Sequence, residues 1–121
     1  MNRSALKAMG MGALLALAAA GVAQAHAHLL SSAPAPDSIA PAPSQIRLAF
    51  SERLEPKFSG FEVDGADGKK AVVAVSTDPS DPQVLIGTPK APLSAGMYRV
   101  VWWAVSADSH RMTGAFAFTV R

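Results

Sequence analysis

Met97-Tyr98-Arg99-Val100-Val101-Trp102-Trp103-Ala104-Val105-Ser106 is the longest apolar run beyond the first quarter of the chain, and its reading decides the fold. In an extended segment Tyr98, Val100 and Trp102 fall on one face, and Val101, Trp103 and Val105 on the other. β-Branched and aromatic residues suit a pleated strand, and apolar cover on both faces predicts a central one. Toward the C-terminus, residues 113–120 put Phe116, Phe118 and Val120 on a single side. Toward the N-terminus, residues 84–88 form a short strand, set off by Asp78-Pro79-Ser80-Asp81-Pro82 before it and by Pro89 and Pro92 after it. Residues 58–63 and 71–76 read as two more strands, with Asp64-Gly65-Ala66-Asp67-Gly68 supplying turn chemistry between them. Ile46, Leu48 and Phe50 alternate with Arg47 and Ala49, the period of a half-buried strand.

Residues 32–44 carry Pro34, Pro36, Pro41 and Pro43 and read as an extended surface connection. With residues 29–31 included, the chain offers about seven short strands, with turns every eight to twelve residues. That pattern predicts an all-β fold, an antiparallel Greek-key sandwich or barrel. No helix longer than a turn is expected.

The first 25 residues read differently. Arg3 and Lys7 precede an uncharged Ala, Leu, Gly and Met stretch over residues 8–20, and Ala23-Gln24-Ala25 is a small-x-small cleavage site. The stretch is shorter than the roughly 20 residues a membrane span needs. The chain therefore divides into a cleavable secretory signal, residues 1–25, and one domain, residues 26–121. A cut after Ala27 also satisfies the small-x-small rule. The part after residue 25 holds nine basic and nine acidic residues, a balance that supplies no basic surface for a nucleic acid. The chain has no cysteine, which removes thiolate metal sites, thiol redox chemistry and cysteine nucleophiles.

All three histidines lie at two places: His26-Ala27-His28-Leu29 and Asp108-Ser109-His110. Cleavage after Ala25 makes His26 a terminal residue, which offers its α-amine and its ring nitrogen together. Asp108 and His110, at i and i+2 of an extended segment, can face one ion. Three nitrogens and one oxygen suit tetragonal Cu(II); structural zinc sites prefer tetrahedral geometry. The same three residues also suit a polar turn in which Asp108 accepts from nearby amides, and spacing alone leaves both readings open. His28 is ambiguous. It either opens the first strand or binds Cu(II) as the third residue of a free N-terminus, through the amine, two deprotonated amides and its ring. Glu52, in Phe50-Ser51-Glu52, follows a strand and reads either as an ordinary surface carboxylate or as a residue that hydrogen-bonds a metal ligand. Trp102 and Trp103 read as core that flanks the site, Met97 and Met112 as core packing, and Lys69-Lys70 as a solvated pair.

At these residues the chain resembles the CopC family of bacterial periplasmic copper-resistance proteins. The matching runs are His26-Ala27-His28-Leu29, Phe50-Ser51-Glu52, Gly96-Met97-Tyr98-Arg99-Val100-Val101-Trp102, Val105-Ser106-Ala107-Asp108-Ser109-His110 and Gly114-Ala115-Phe116-Ala117-Phe118-Thr119-Val120. The resemblance implies an immunoglobulin-like Greek-key β-barrel. It also implies one Cu(II) per chain held by the amine and ring of His26, the carboxylate of Asp108 and the ring of His110, with Glu52 close by. The family often has Gly where Ser109 stands and Pro where Arg111 stands. Some members add a methionine-rich loop for Cu(I), but the corresponding residues 63–83 here contain neither Met nor His. The leading reading is a monomeric periplasmic Cu(II) binder with no catalysis of its own, and the resemblance suggests a CopD-type membrane copper transporter as its partner. Two other classes share parts of the pattern: a copper monooxygenase with a terminal-histidine brace, and a β-sandwich interaction module that binds no metal.

Overall fold

The computed structural model describes residues 26–121; the predicted signal, residues 1–25, lies outside the described residues. Nine strands are present among the described residues: β1 (Leu29–Ala33), β2 (Ile39–Ala40), β3 (Ile46–Phe50), β4 (Gly60–Gly65), β5 (Lys70–Ala71), β6 (Val73–Asp78), β7 (Asp81–Pro89), β8 (Gly96–Val105) and β9 (Arg111–Val120). They form two sheets, ordered β1-β3-β7-β6 and β2-β9-β8-β4-β5. The pairings are antiparallel except that β2 runs parallel to β9. Non-consecutive strands therefore lie side by side and the chain crosses repeatedly between sheets, as in an all-β Greek-key sandwich.

The alternation of residues explains which face of each strand is buried. In β3, Ile46, Leu48 and Phe50 are buried while Arg47 is exposed. In β8, Tyr98, Val100, Trp102 and Ala104 point into the core. Phe61 and Val63 from β4, Leu85 from β7 and Phe118 and Val120 from β9 fill the remaining space. Phe50 and Trp102 meet across the two sheets edge to face, with ring centroids 5.2 Å apart. Within one sheet, Tyr98 stacks on Phe118 at 5.7 Å, and its hydroxyl donates to the Ser94 carbonyl. A stacked or edge-on aromatic pair adds about 0.5–1.5 kcal/mol beyond the area it buries.

Four details depart from the sequence reading. β8 is central in its sheet, but only one of its faces is sealed; Val101, Trp103 and Val105 on the other are half-buried. Met97, expected in the core, is 58% exposed, whereas Met112 is half-buried against the core. The strand expected from residue 58 begins at Gly60, because Pro56–Phe58 forms a single 3-10 turn. Proline at the start of such a turn already has the φ it needs. The strands β2 and β5, two residues each, were not expected.

Two glycines let aromatic rings approach the backbone. A Cβ on Gly114 would collide with the ring of Trp102, its cross-strand partner. A Cβ on Gly87 would collide with the Phe61 ring and lie 2.8 Å from Val73 Cγ1. Gly87→Ala is expected to destabilise the fold by roughly 1–3 kcal/mol, the usual range for overpacking a core. Chemical denaturation checks this; an unchanged midpoint would show that the Phe61 ring yields freely.

Candidate metal centre

One end of the sandwich gathers three chain segments that are far apart in sequence. The β8–β9 ladder ends at the pair Val105↔Arg111, leaving residues 106–110 as the connecting turn. The connection after β3 joins it, since Leu54 bridges Ser106 and the Glu55 amide donates to the Val105 carbonyl. Residues 26–28, which lead into β1, lie against the end of β3. There the Ser51 amide donates to the His28 carbonyl, and the His28 amide donates to Ser51 Oγ at 2.9 Å. Ser51 Oγ also donates to the His26 carbonyl at 3.2 Å. Ala27, between the two histidines, is wholly buried.

The 106–110 turn is closed by its own hydrogen bonds, Ser109 amide to Ser106 carbonyl and Ser106 amide to His110 carbonyl. Ser109 takes a left-handed φ of 68°. This conformation costs a side-chain-bearing residue about 1–2 kcal/mol, which accounts physically for a glycine being suited to the position. Asp108 and His110 are thus brought together by a turn, the backbone of the polar-turn reading, and not by the extended segment that the ligand reading took. The turn alternative and the ligand alternative describe the same geometry: Asp108 Oδ1 accepts from the His110 amide while Oδ2 faces the His110 ring.

Ser106 is fully buried, and its hydroxyl donates to Asp108 Oδ1 at 2.5 Å. The other oxygen, Oδ2, lies 2.9 Å from His110 Nδ1 and 4.0 Å from His26 Nε2. The two imidazoles approach edge to face with centroids 4.6 Å apart. Donor atoms of His26, Asp108 and His110 all lie within 4.8 Å of one another, a spacing that one ion could span. The Ser106 hydroxyl first, and then the His110 ring, hold the Asp108 carboxyl well below the usual carboxylate range. Its side chain is about a third exposed and that of His110 about two-thirds, so the cluster sits at the rim of the fold.

The structure therefore brings together His26, Asp108 and His110 from the sequence candidates. His28 is exposed and outside the cluster, and Glu52 is half-buried beside Ser51 and also outside it. Trp102 lies in the core, and the half-buried Trp103 lines a depression with Phe58, Ser109 and Arg111 next to the turn. Two residues that organise the cluster were missed, Ser51 and Ser106. Both stand at the polar end of an apolar strand, where a serine is indistinguishable from an ordinary strand terminus.

A two-sheet β-sandwich with a His, Asp and His cluster at one end defines a class of small proteins with a nitrogen-and-oxygen site and no thiolates. A family model described as the CopC domain matches residues 29–121, and the chain belongs to the CopC family. Copper resistance protein C of Escherichia coli is 42% identical over 114 residues, covering 88% of this chain and 90% of that protein. Copper resistance protein C of Pseudomonas syringae pv. tomato is 39% identical over 127 aligned residues, covering 100% and 98%. The crystal structure of PcoC, a methionine-rich copper resistance protein from Escherichia coli, superposes with a TM-score of 0.73 at 42% identity. That match covers 80% of this chain and 100% of PcoC.

If Ser106 is what keeps Asp108 ionised, Ser106→Ala should raise the Asp108 pKa toward the ordinary carboxylate value. An NMR titration of the metal-free protein reads this directly. No shift would assign the low value to His110 alone.

Proposed function

We propose that this protein is a periplasmic Cu(II) carrier that binds one ion per chain for sequestration or onward transfer and catalyses nothing itself. The observation that carries the proposal is the convergence of His26, Asp108 and His110 donor atoms within 4.8 Å, in a chain whose relatives are named copper resistance proteins. Two imidazole nitrogens and one carboxylate oxygen fit a tetragonal Cu(II) ion that lacks one donor. The α-amine of His26, freed by cleavage after Ala25, supplies it. Cleavage after Ala27 is the poorer alternative, because it would remove His26 from the cluster and Ala27 from the core. A CopD-type membrane protein is the proposed recipient or source of the ion, and the carrier acts as a monomer.

Each half of the site has a separate task. Asp108, fixed by Ser106, presents Oδ2 as a charged oxygen that is already deprotonated when the ion arrives. His26 and His110, whose rings meet edge to face, would supply the two imidazole nitrogens beside that oxygen. Replacing either histidine by alanine should lower Cu(II) affinity by more than the roughly 10–100-fold that follows loss of a supporting hydrogen bond alone. Competition against a chelator of known strength measures it. If His26→Ala and His110→Ala each bind as the parent does, the proposed site is wrong.

Binding should also weaken on acidification, because protons compete for the nitrogen donors. The Asp108 carboxyl is held low, so it remains charged over the range in which the nitrogens are lost. Copper should accordingly dissociate well before Asp108 takes up a proton. Folding stability derived from Asp108 is present above the ordinary carboxylate pKa and is lost only as the pH falls below it. A copper release curve that instead coincides with acid unfolding would contradict this order.

A further inference from the structure

A chain beginning His-Ala-His has two incompatible ways to hold Cu(II). In the first, the terminal amine and the His26 ring join Asp108 and His110, as proposed above. In the second, the amine, the peptide nitrogens of Ala27 and His28 and the His28 ring wrap the ion in one plane. The second mode uses neither Asp108 nor His110. It requires each of the two peptide nitrogens to release its proton to solvent as its bond to copper forms. Nothing in the order of residues selects between them.

We infer that Ser51 is the specificity-determining residue that holds the N-terminal segment in the first mode and excludes the second. Three hydrogen bonds join this one residue to residues 26–28. The His28 amide donates to Ser51 Oγ at 2.9 Å, the Ser51 amide donates to the His28 carbonyl at 2.9 Å, and Ser51 Oγ donates to the His26 carbonyl at 3.2 Å. One of the two peptide nitrogens that the second mode must bind, that of His28, is therefore already engaged as a donor. The segment cannot curl freely around an ion either, because Ala27 is wholly buried in the core cluster. Curling would pull that methyl group into water and break the pairing that leads into β1. With the segment extended, the His26 ring is left near Asp108 and the His28 ring is exposed, outside the cluster. The latch acts on the backbone, so it works before any metal is present.

The inference rests on the proposed His26, Asp108 and His110 site, and its test separates the two. Mature protein, shown by intact mass to begin at His26, is loaded with one equivalent of Cu(II) sulfate at a single near-neutral pH and examined by EPR. Ser51→Ala, Ser51→Thr, His28→Ala, His110→Ala and the Ser51→Ala/His28→Ala pair are compared with the parent. The expected parent spectrum changes in His110→Ala and is indifferent to His28→Ala; failure of that pattern counts against the underlying site. Ser51→Ala removes both Oγ hydrogen bonds and should move the ratio of the two modes toward the four-nitrogen form by at least the roughly three- to tenfold of one net hydrogen bond. Ser51→Thr, which keeps the hydroxyl, should restore the parent ratio, and adding His28→Ala to Ser51→Ala should abolish the four-nitrogen signal. A Ser51→Ala spectrum identical to the parent's overturns the role of Ser51 while leaving the site intact. Should Ser51→Ala fold poorly, amide exchange in the metal-free parent decides instead. Slow exchange at the His28 amide supports the latch, and exchange at the rate of an unstructured peptide overturns it.

Discussion

The antiparallel ladder between β8 and β9, ten residue pairs from Gly96↔Val120 to Val105↔Arg111, is the constraint on which both the core and the histidine cluster depend. Its register puts Tyr98 opposite Phe118, Val100 opposite Phe116 and Trp102 opposite Gly114. A slip of β9 by one residue would turn Phe116 and Phe118 away from the core. The same register fixes where the ladder ends, and so fixes residues 106–110 as a short turn at one end of the sandwich. The site therefore inherits its position from core packing. Gly114 has no side chain because Trp102 lies against it, and Trp102 in turn meets Phe50 at the end of β3. The residue after Phe50 is Ser51, which holds residues 26–28. Packing thus ties the β8–β9 ladder to the segment that carries His26 through Trp102, Phe50 and Ser51.

The elements legible in the sequence are those whose burial alternates. The residues of β3, β8 and β9 reveal themselves by period two, because one sheet face meets the other sheet and its opposite meets solvent. Apolarity on the second face of β8 was a poorer guide. Trp103 is only half-buried, and its indole covers Gly60, the residue paired with it on β4. A large side chain over a neighbouring glycine is sheltered without a second layer of protein. The strands β2 and β5 carry no such signal. Each has two residues, and their pairing follows from where neighbouring strands run, so tertiary register rather than local propensity creates them.

The cluster was legible in composition but not in conformation. Histidines at two places and one nearby aspartate could be named from the sequence, yet the local geometry could not. Asp108 and His110 meet across a left-handed Ser109, in the polar turn that spacing left open beside an extended segment. Ser51 and Ser106 were illegible for a different reason. A serine at a strand end is common, and its meaning depends on what lies across from it. Ser106 matters because it is buried beneath Asp108, and Ser51 because the N-terminal segment lies alongside it. Hydrogen-bond partners distant in sequence leave no periodic trace.

The two halves of the cluster differ in how firmly they are held, and the difference bears on carriage of an ion. Asp108 Oδ1 accepts from a buried hydroxyl and a backbone amide, so the carboxylate has little freedom. The backbone of His26 is tied to Ser51, with the adjoining Ala27 in the core. The His110 ring, by contrast, is two-thirds exposed and contacts Asp108 from the solvent side. In the proposed site, an incoming ligand would meet the ion on the side of the exposed His110 ring. A deeply buried site of the same donors would bind as well and release only by local unfolding. Placement at the rim, with two anchored residues beneath and one exposed ring above, is the geometry that the proposed carrier role calls for.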